Sequence, residues 1–250
     1  MTIYEQFKRQ CAEEVAIQGA DPALERASSA WMNLANPLKY SYHFEWLGRP
    51  IIQYPQDMIA MQEIIWSVQP DLIIETGIAH GGSLIFSASM PELNAGCGGP
   101  QDAEVLGLDI DIRPHNREAI EGHPMFKRIT MIEGSSIDDA VAAKVHDFAR
   151  GKKRVLVILD SNHTHVHVRR ELELYSSLVK AGSYLIVFDT VIEDMPEDAF
   201  SDRPWGKGDN PKTAVWEFLK SNDRFEINRE IQDKLLLTVA PDGYLKCLKD

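Results

Sequence analysis

The stretch "DLIIETGIAHGGSLIFSASM", residues 71–90, contains in order an apolar run, an acid, a glycine-rich turn and a helical segment. The run "DLIIET" is apolar and β-branched, which is typical of a strand buried on both faces of a sheet. The glycines at 77, 81 and 82 allow a tight turn between this strand and the following helix. The stretch therefore predicts a strand–turn–helix unit with a carboxylate, Glu75, at the end of the strand.

The same alternation continues along the chain. Four further apolar runs predict strands, "EVLGLDI", "ITMIEG", "RVLVILD" and "SYLIVFD", with helical stretches between them. Asp57 is expected to cap the helix before the first strand, and Gly182 to end the helix before the fifth. "FEINREI" and "KLLLTVAPDGYLKCL" predict strands in a hairpin-like edge, with the turn at Pro241-Asp242-Gly243. The pattern predicts an α/β fold with a doubly wound, mostly parallel sheet.

Composition excludes several classes of protein. The chain has 250 residues and a net charge of -12, so a phosphate backbone is a poor partner and no nucleic acid is expected. No apolar run has the roughly 20 residues of a membrane span. Three widely spaced cysteines and a polar, acid-bearing start instead of a signal peptide predict a cytoplasmic protein. Residues 1–56 read as helices and ordered, aromatic loop, and this aromatic segment favours a homo-oligomer.

Polar residues follow each of the five apolar runs. Because the C-terminal ends of parallel strands meet at one edge of a sheet, where ligands bind, these residues are expected to surround one site. In strand order they are Glu75, Gly77, Gly81 and Ser83; Asp109 and Asp111; Ser135 and Ser136; Asp160 and His163; and Asp189 and Thr190.

The glycine turn predicts the kind of ligand. It lacks the G-x-G-x-x-G spacing that receives a pyrophosphate, and the preceding Glu75 would repel phosphate but attract an ammonium group. Asp109, at the end of the second strand, is placed to accept hydrogen bonds from ribose hydroxyls. An amino acid end and a ribose without phosphate describe S-adenosylmethionine. The glycines alone are equally compatible with a close contact between strand and helix.

The motifs "WLGRPIIQYPQD", "PDLIIETGIAHGGS", "LDSNHTHVHV" and "GSYLIVFDT" resemble the cephalosporin hydroxylase / rhamnosyl O-methyltransferase family. The resemblance covers most of the chain. It implies a class I methyltransferase fold with a seven-stranded sheet, in which residues 57–250 bind S-adenosylmethionine behind an N-terminal extension, residues 1–56. It also implies a divalent metal, Mg²⁺ or Mn²⁺, and methyl transfer to a hydroxyl of a rhamnosyl-like sugar, a glycan or a related natural product.

The resemblance also implies roles for single residues. In similar proteins the acid that ends the fourth strand binds the metal, and the residue three positions later is the general base; here these are Asp160 and His163. Asp189 matches a second metal ligand. Thr190 occupies a third ligand position with a different residue type, Phe188 replaces an acid of the sugar-modifying relatives, and Glu193 or Asp194 is the alternative ligand. The cofactor set implied in this way comprises Glu75, Gly77, His80, Gly81, Ser83, Asp109, Asp111, Ser135, Ser136 and Asp160.

Several alternatives stay open at the level of sequence. Ser135, Ser136 and Asp138 match the adenine-contacting position but also suit a helix N-cap. His165 and His167 are expected to be loop or supporting residues. Trp31, Trp46 and Tyr54 either pack internally or line an acceptor pocket. The rival functions are a non-haem iron hydroxylase, which needs two histidines and one carboxylate, and an inactive scaffold with the methyltransferase fold.

Overall fold

The computed structural model describes residues 1–250. A short N-terminal hairpin pairs β1 (Phe44–Trp46) with β2 (Arg49–Ile51). The central sheet contains seven further strands: β3 (Leu72–Thr76), β4 (Glu104–Asp109), β5 (Ile129–Glu133), β6 (Val155–Leu159), β7 (Tyr184–Val187), β8 (Phe225–Ile227) and β9 (Tyr244–Cys247).

The chain forms nine α-helices. Two precede β1, and one lies between each pair of successive strands from β2 to β9. They are α1 (Ile3–Gly19), α2 (Pro22–Ala35), α3 (Pro55–Val68), α4 (Gly82–Gly96), α5 (Pro114–Glu121), α6 (Asp139–Phe148), α7 (His165–Tyr175), α8 (Pro211–Ser221) and α9 (Arg229–Leu235). Asp138 caps α6 by accepting the N–H groups of Ala140 and Val141, which confirms the N-cap interpretation at that position. None of the helices has the length and hydropathy of a membrane span.

The strand order of the sheet is β5-β4-β3-β6-β7-β9-β8, with β9 antiparallel to both of its neighbours. β3 to β7 are parallel to one another, so their C-terminal ends share one edge. All five strands predicted from apolar runs are therefore present, and the seven-stranded, mostly parallel sheet is confirmed. The predicted class I methyltransferase architecture follows from this order.

Alternate residues of each strand pack on opposite faces of the sheet. Ile73 and Ile158 belong to the core beneath α3 and α4, whereas Ile74 and Val157 belong to the core beneath α6, α7 and α8. Both faces are covered by helices, so the central strands β3, β6 and β7 are buried throughout and apolar along most of their length. This burial explains why the strands were recognisable as continuous apolar runs.

The region before β3 is more regular than the sequence indicated. Helix α3 begins at Pro55 with Tyr54 as its N-cap, so the predicted capping role of Asp57 is wrong; Asp57 lies fully buried in the first turn. The expected ordered loop contains the end of α2 and the β1–β2 hairpin. Ile51 and Tyr54 are buried in the core, although they precede the domain boundary expected at residue 57.

Two further elements near the C-terminus differ from the prediction. Helix α7 ends at Tyr175, so Gly182 does not terminate it but lies in a turn with φ of +88°. The run expected to be strand after residue 228 instead forms helix α9. β8 and β9 do pair antiparallel at the sheet edge, but this helix and a loop connect them, so the predicted hairpin is absent.

Candidate active site

The site lies at the point where the chain crosses from one half of the sheet to the other, between β3 and β6. β4 and β5 lie on one side of β3, and β6 and β7 on the other, which leaves a crevice at the C-terminal strand ends. The glycine turn follows β3 there, and Asp160 follows β6. A Cβ atom on Gly77 would lie 2.1 Å from the carbonyl oxygen of Asp160, so only glycine permits this approach.

Asp109 holds the glycine turn in place. Its Oδ2 accepts the N–H groups of Ile78 at 2.8 Å and Ala79 at 3.3 Å, and its Oδ1 accepts the N–H of Asp111 at 3.1 Å. Ile78 and Ala79 line the large cavity described below, whereas the side chain of Asp111 is exposed. The carboxylate is thus fixed beside the turn, and its contact with a ribose stays a prediction.

Two residues that the sequence did not single out also hold the turn. Arg49 donates to the carbonyl oxygen of His80 from Nε at 3.1 Å and from Nη2 at 2.5 Å. Asn116 donates from Nδ2 to the carbonyl oxygen of Ala79 at 2.9 Å. The motif "RPIIQYPQD" was the available signal, since it carries the arginine. His80 itself lines the large cavity.

Asp160, His163 and Asp189 form a group that could hold a metal ion. One ligand atom from each lies within 4.8 Å of the others, and Nε2 of His163 lies 3.1 Å from Oδ2 of Asp189. Burial raises the pKa of Asp160 well above its usual value, and the negative charges of Asp189 and Glu75 raise it further. Because a cation would offset this desolvation and repulsion, the donor set suits a hard divalent ion.

The other predicted metal ligands are directed elsewhere. Thr190 is fully buried, and its hydroxyl donates to the carbonyl oxygen of Pro241 at 2.6 Å. Glu193 accepts hydrogen bonds from Gly208 and Asn210, and Asp194 pairs with Lys212 at 2.6 Å. The structure therefore brings none of these three residues to the metal-like group, because each is hydrogen-bonded or ion-paired with other residues of the chain.

A small cavity of about 20 Å³ adjoins the group and is lined in part by Glu75. Burial raises the pKa of Glu75 to about 7, although hydrogen bonds from Ser83 and Ser87 oppose the shift. Gln53, which the sequence did not identify, donates from Nε2 to Oδ2 of Asp160 at 3.2 Å, while its buried Oε1 has no partner. An unpaired buried acceptor beside carboxylates, in a space of this size, suits an ammonium group or a water molecule.

Ser136 belongs to a buried hydrogen-bond network behind the crevice. Its Oγ lies 3.0 Å from Nε2 of His167, which in turn lies 3.2 Å from Oγ of Ser161. Ser161 donates to Glu171 at 2.7 Å. Neither Ser135 nor Ser136 lines the large cavity, and their adenine contact stays a prediction. His167 is a supporting residue of this network, as expected.

His165 is also remote from the metal-like group. Its Nδ1 lies 2.8 Å from Oγ1 of Thr213, and its Nε2 lies 3.0 Å from Glu217, so it joins α7 to α8. The group thus contains one imidazole and two carboxylates. This is the reverse of the two histidines and one carboxylate that the iron hydroxylase alternative requires.

A large cavity of about 350 Å³ opens from Asp160, His163 and Asp189 to the surface. For Trp31, Trp46 and Tyr54 the sequence left internal packing and an acceptor pocket open, and only Tyr54 lines this cavity. Trp46 instead donates to Ser89, and Trp31 packs edge-on against Tyr40. The aromatic residues that line this cavity besides Tyr54 are Tyr42, Phe200 and Trp205, and the Trp205 ring meets the His163 ring edge-to-face at 4.8 Å.

Fold and site together define a protein of the class I methyltransferase type. Residues 38–248 match the family described as Rhamnosyl O-methyltransferase/CmcI, and the chain belongs to this family. This membership places it among the S-adenosylmethionine-dependent O-methyltransferases.

Individual relatives agree with this placement. The chain is 31% identical to a rhamnosyl O-methyltransferase of Mycobacterium tuberculosis over 195 residues, which are 76% of this chain and 72% of the relative. It is similar in fold to a CmcI structure with Mg and SAM, at a TM-score of 0.56 and 18% identity over 83% of this chain and 77% of that one. An O-methyltransferase from Bacillus cereus in complex with SAH gives a TM-score of 0.53 at 14% identity, with 92% of each chain covered.

Proposed function

We propose that the protein transfers a methyl group from S-adenosylmethionine to a hydroxyl of a sugar, or of a related natural product that carries one. The observation that carries this proposal is the position of Asp160, His163 and Asp189, which open onto the same cavity as the glycine turn. The curated relatives named rhamnosyl O-methyltransferases support a sugar acceptor. The cavity also has the volume to receive a sugar residue.

The cofactor is proposed to bind along the glycine turn, with Asp109 near its ribose and Ser136, beside Ser135, near its adenine. Glu75, His80 and Ser83 would surround the amino acid end. Support comes from the cavity next to Glu75, where the unpartnered Oε1 of Gln53 and the carboxyl groups of Glu75, Asp57 and Asp160 match an ammonium group. Gly77 and Gly81, with positive φ, let the backbone approach this ligand.

Asp160 and Asp189 are proposed to hold Mg²⁺ or Mn²⁺. When bound, such an ion would orient the acceptor's oxygens and make the reacting hydroxyl more acidic. In the transfer the carbon–sulfur bond of the donor breaks while a bond forms between that carbon and the acceptor oxygen. The proton of the hydroxyl passes to the imidazole of His163, and S-adenosylhomocysteine and the methylated acceptor leave.

Calorimetry with S-adenosylhomocysteine and with Mg²⁺ tests the proposal. The wild type should bind both ligands, whereas Asp160→Asn and Asp189→Asn should weaken Mg²⁺ binding by about tenfold or more, since each removes a charged ligand. Asp102→Asn is the matched control, because this carboxylate is exposed and precedes β4, at the edge of the sheet opposite the site. Wild-type protein that binds no S-adenosylhomocysteine would contradict the proposal and favour the inactive-scaffold alternative.

We also propose a homo-oligomer. Helix α1 has no buried residue, and Ile3, Tyr4 and Phe7 on it are each more than half exposed. Apolar side chains of this size on one short segment favour association. Light scattering coupled to size-exclusion chromatography measures the mass directly.

A further inference from the structure

Two exposed cations from separate segments of the chain line the large cavity. Lys39 lies between the two short 3-10 helices that follow α2, with a φ of 56°. Arg203 lies in the loop between β7 and α8, where its N–H donates to the carbonyl oxygen of Phe200 at 2.9 Å. Both residues line the cavity that leads to Asp160 and Asp189.

Neither cation is neutralised by a neighbouring carboxylate. The nearest carboxylate to the Arg203 guanidinium is that of Asp202 at 3.9 Å, and both side chains are more than half exposed. Such a pair contributes little. Lys39 forms no ion pair, and its ammonium lies over the Tyr42 ring at 5.9 Å. Both positive charges therefore remain available to a ligand.

The charge balance of the cavity differs from that of the molecule. The chain carries a net charge of -12, but the charged residues that line the cavity are Lys39 and Arg203 together with Asp160 and Asp189. The two cations balance the two carboxylates, so a divalent metal at the inner end would leave the cavity positive. A positive cleft in an acidic protein concentrates anions and not neutral molecules.

We infer that the acceptor carries an anionic group, a phosphate or a carboxylate, at the end away from the reacting hydroxyl. This inference rests on the proposed methyl transfer and names its class of substrate. The anionic group would lie between Lys39 and Arg203, because a guanidinium binds phosphate or carboxylate through paired hydrogen bonds and an ammonium adds a point charge. The neutral ring of the acceptor would lie against Trp205, whose ring Arg203 also contacts at 5.6 Å.

Three probes that share a sugar ring test the inference: glucose 1-phosphate, methyl glucuronoside and the neutral methyl glucoside. Their binding is measured by calorimetry with saturating Mg²⁺, both with and without S-adenosylhomocysteine. At least one anionic probe should bind about tenfold or more tightly than methyl glucoside, as charge-assisted hydrogen bonds predict. Preference for the phosphate or for the uronoside identifies which anion the site takes.

Charge removal provides the second arm. Lys39→Gln and Arg203→Gln should each reduce binding of the preferred anionic probe by about tenfold while leaving methyl glucoside binding unchanged. Lys207→Gln, an exposed cation on the Arg203 loop that does not line the cavity, should have no effect. All three side chains lie at the surface, and melting curves confirm that each variant is folded.

The outcomes separate this inference from the proposed function. Equal or tighter binding of methyl glucoside overturns the inference, and so do unchanged anion affinities in Lys39→Gln and Arg203→Gln. If S-adenosylhomocysteine binds in either case, the proposed methyl transfer stands. If it does not bind, the proposed function fails, and the comparison of the three probes without it still decides whether the cavity selects anions.

Discussion

Gly77 combines a positive φ of +90° with a close approach to the carbonyl oxygen of Asp160. Gly98 offers a matched comparison, since its φ is +89° and an added Cβ would meet nothing within 4 Å. We expect Gly98→Ala to cost about 1–2 kcal/mol of stability through backbone strain alone. Gly77→Ala should cost the same backbone strain and about 1–3 kcal/mol more, the usual cost of overpacking, because its Cβ would clash with Asp160. Urea unfolding of both variants measures the difference, and equal costs would contradict the steric argument.

His163 is positioned to receive the acceptor's proton because it lies beside Asp189 and on the wall of the large cavity. His163→Ala should lower turnover by about 10²–10⁴, the usual contribution of a general base, while S-adenosylhomocysteine binding stays unchanged. His165→Ala is the control, because that ring contacts Thr213 and Glu217 instead. If His163→Ala loses Mg²⁺ affinity as strongly as Asp160→Asn does, His163 is a metal ligand and the base lies elsewhere.

Candidate site residues could be predicted from the sequence where they directly follow an apolar strand. Asp160 and Asp189 were recognisable because each follows an apolar strand, and parallel strands bring their ends together. Gln53, Asn116 and Trp205 were not, since their roles depend on contacts between segments far apart in sequence. For Trp46 the sequence left internal packing and a pocket position equally open, and the structure favours packing, since its indole N–H donates to Ser89.

Among the elements, the central strands were predictable and the C-terminal segment was not. Strands buried on both faces are apolar throughout, so their pattern is unambiguous. The segment "REIQDKL" has too few residues to show a helical period, and its neighbours are β-branched and apolar. Contacts with two other helices hold this segment: Gln18 of α1 donates to the carbonyl oxygen of Asp233 in α9 at 2.6 Å, and Lys234 of α9 pairs with Glu63 of α3.

Asp57 links helix α3 to the segment before β9. Its carboxylate accepts hydrogen bonds from the hydroxyl of Thr238, the N–H of Val239 at 3.0 Å and the hydroxyl of Tyr244 at 2.7 Å. Burial nevertheless raises its pKa from 3.8 to about 6. Between about pH 6 and about pH 4 the carboxyl group of Asp57 is therefore protonated in the native state but ionised in the unfolded chain. The stability that this group contributes consequently rises as the pH falls through that window.

Asp57→Asn tests this linkage because asparagine cannot titrate. Wild type should gain up to about 3 kcal/mol of unfolding free energy relative to the variant between about pH 7 and about pH 4. Urea unfolding of both proteins at the two pH values gives this double difference, in which the titration of all other groups cancels. A wild-type-to-variant difference that is the same at both pH values would contradict the raised pKa.

At the scale of the whole molecule, the N-terminal segments contribute unequally to the fold. Helix α1 buries no side chain, whereas Ile51 and Tyr54 are buried in the core and Pro50 packs against the glycine turn. We therefore propose that the unit that folds includes the β1–β2 hairpin and extends beyond residue 57 towards the N-terminus. This hairpin also supplies Arg49, which holds the turn proposed to bind the cofactor.

Two truncations test where this unit begins. A chain of residues 21–250 should unfold cooperatively and bind S-adenosylhomocysteine like the full chain, because only the exposed helix α1 and its contacts with α9 are lost. A chain of residues 57–250 should fail to fold, since each large apolar side chain lost from the core removes about 1.5–3 kcal/mol and leaves a cavity. Circular dichroism melting and calorimetry compare the two with the full chain. A cooperative transition in the shorter chain would contradict this assignment and restore the boundary at residue 57 that the sequence indicated.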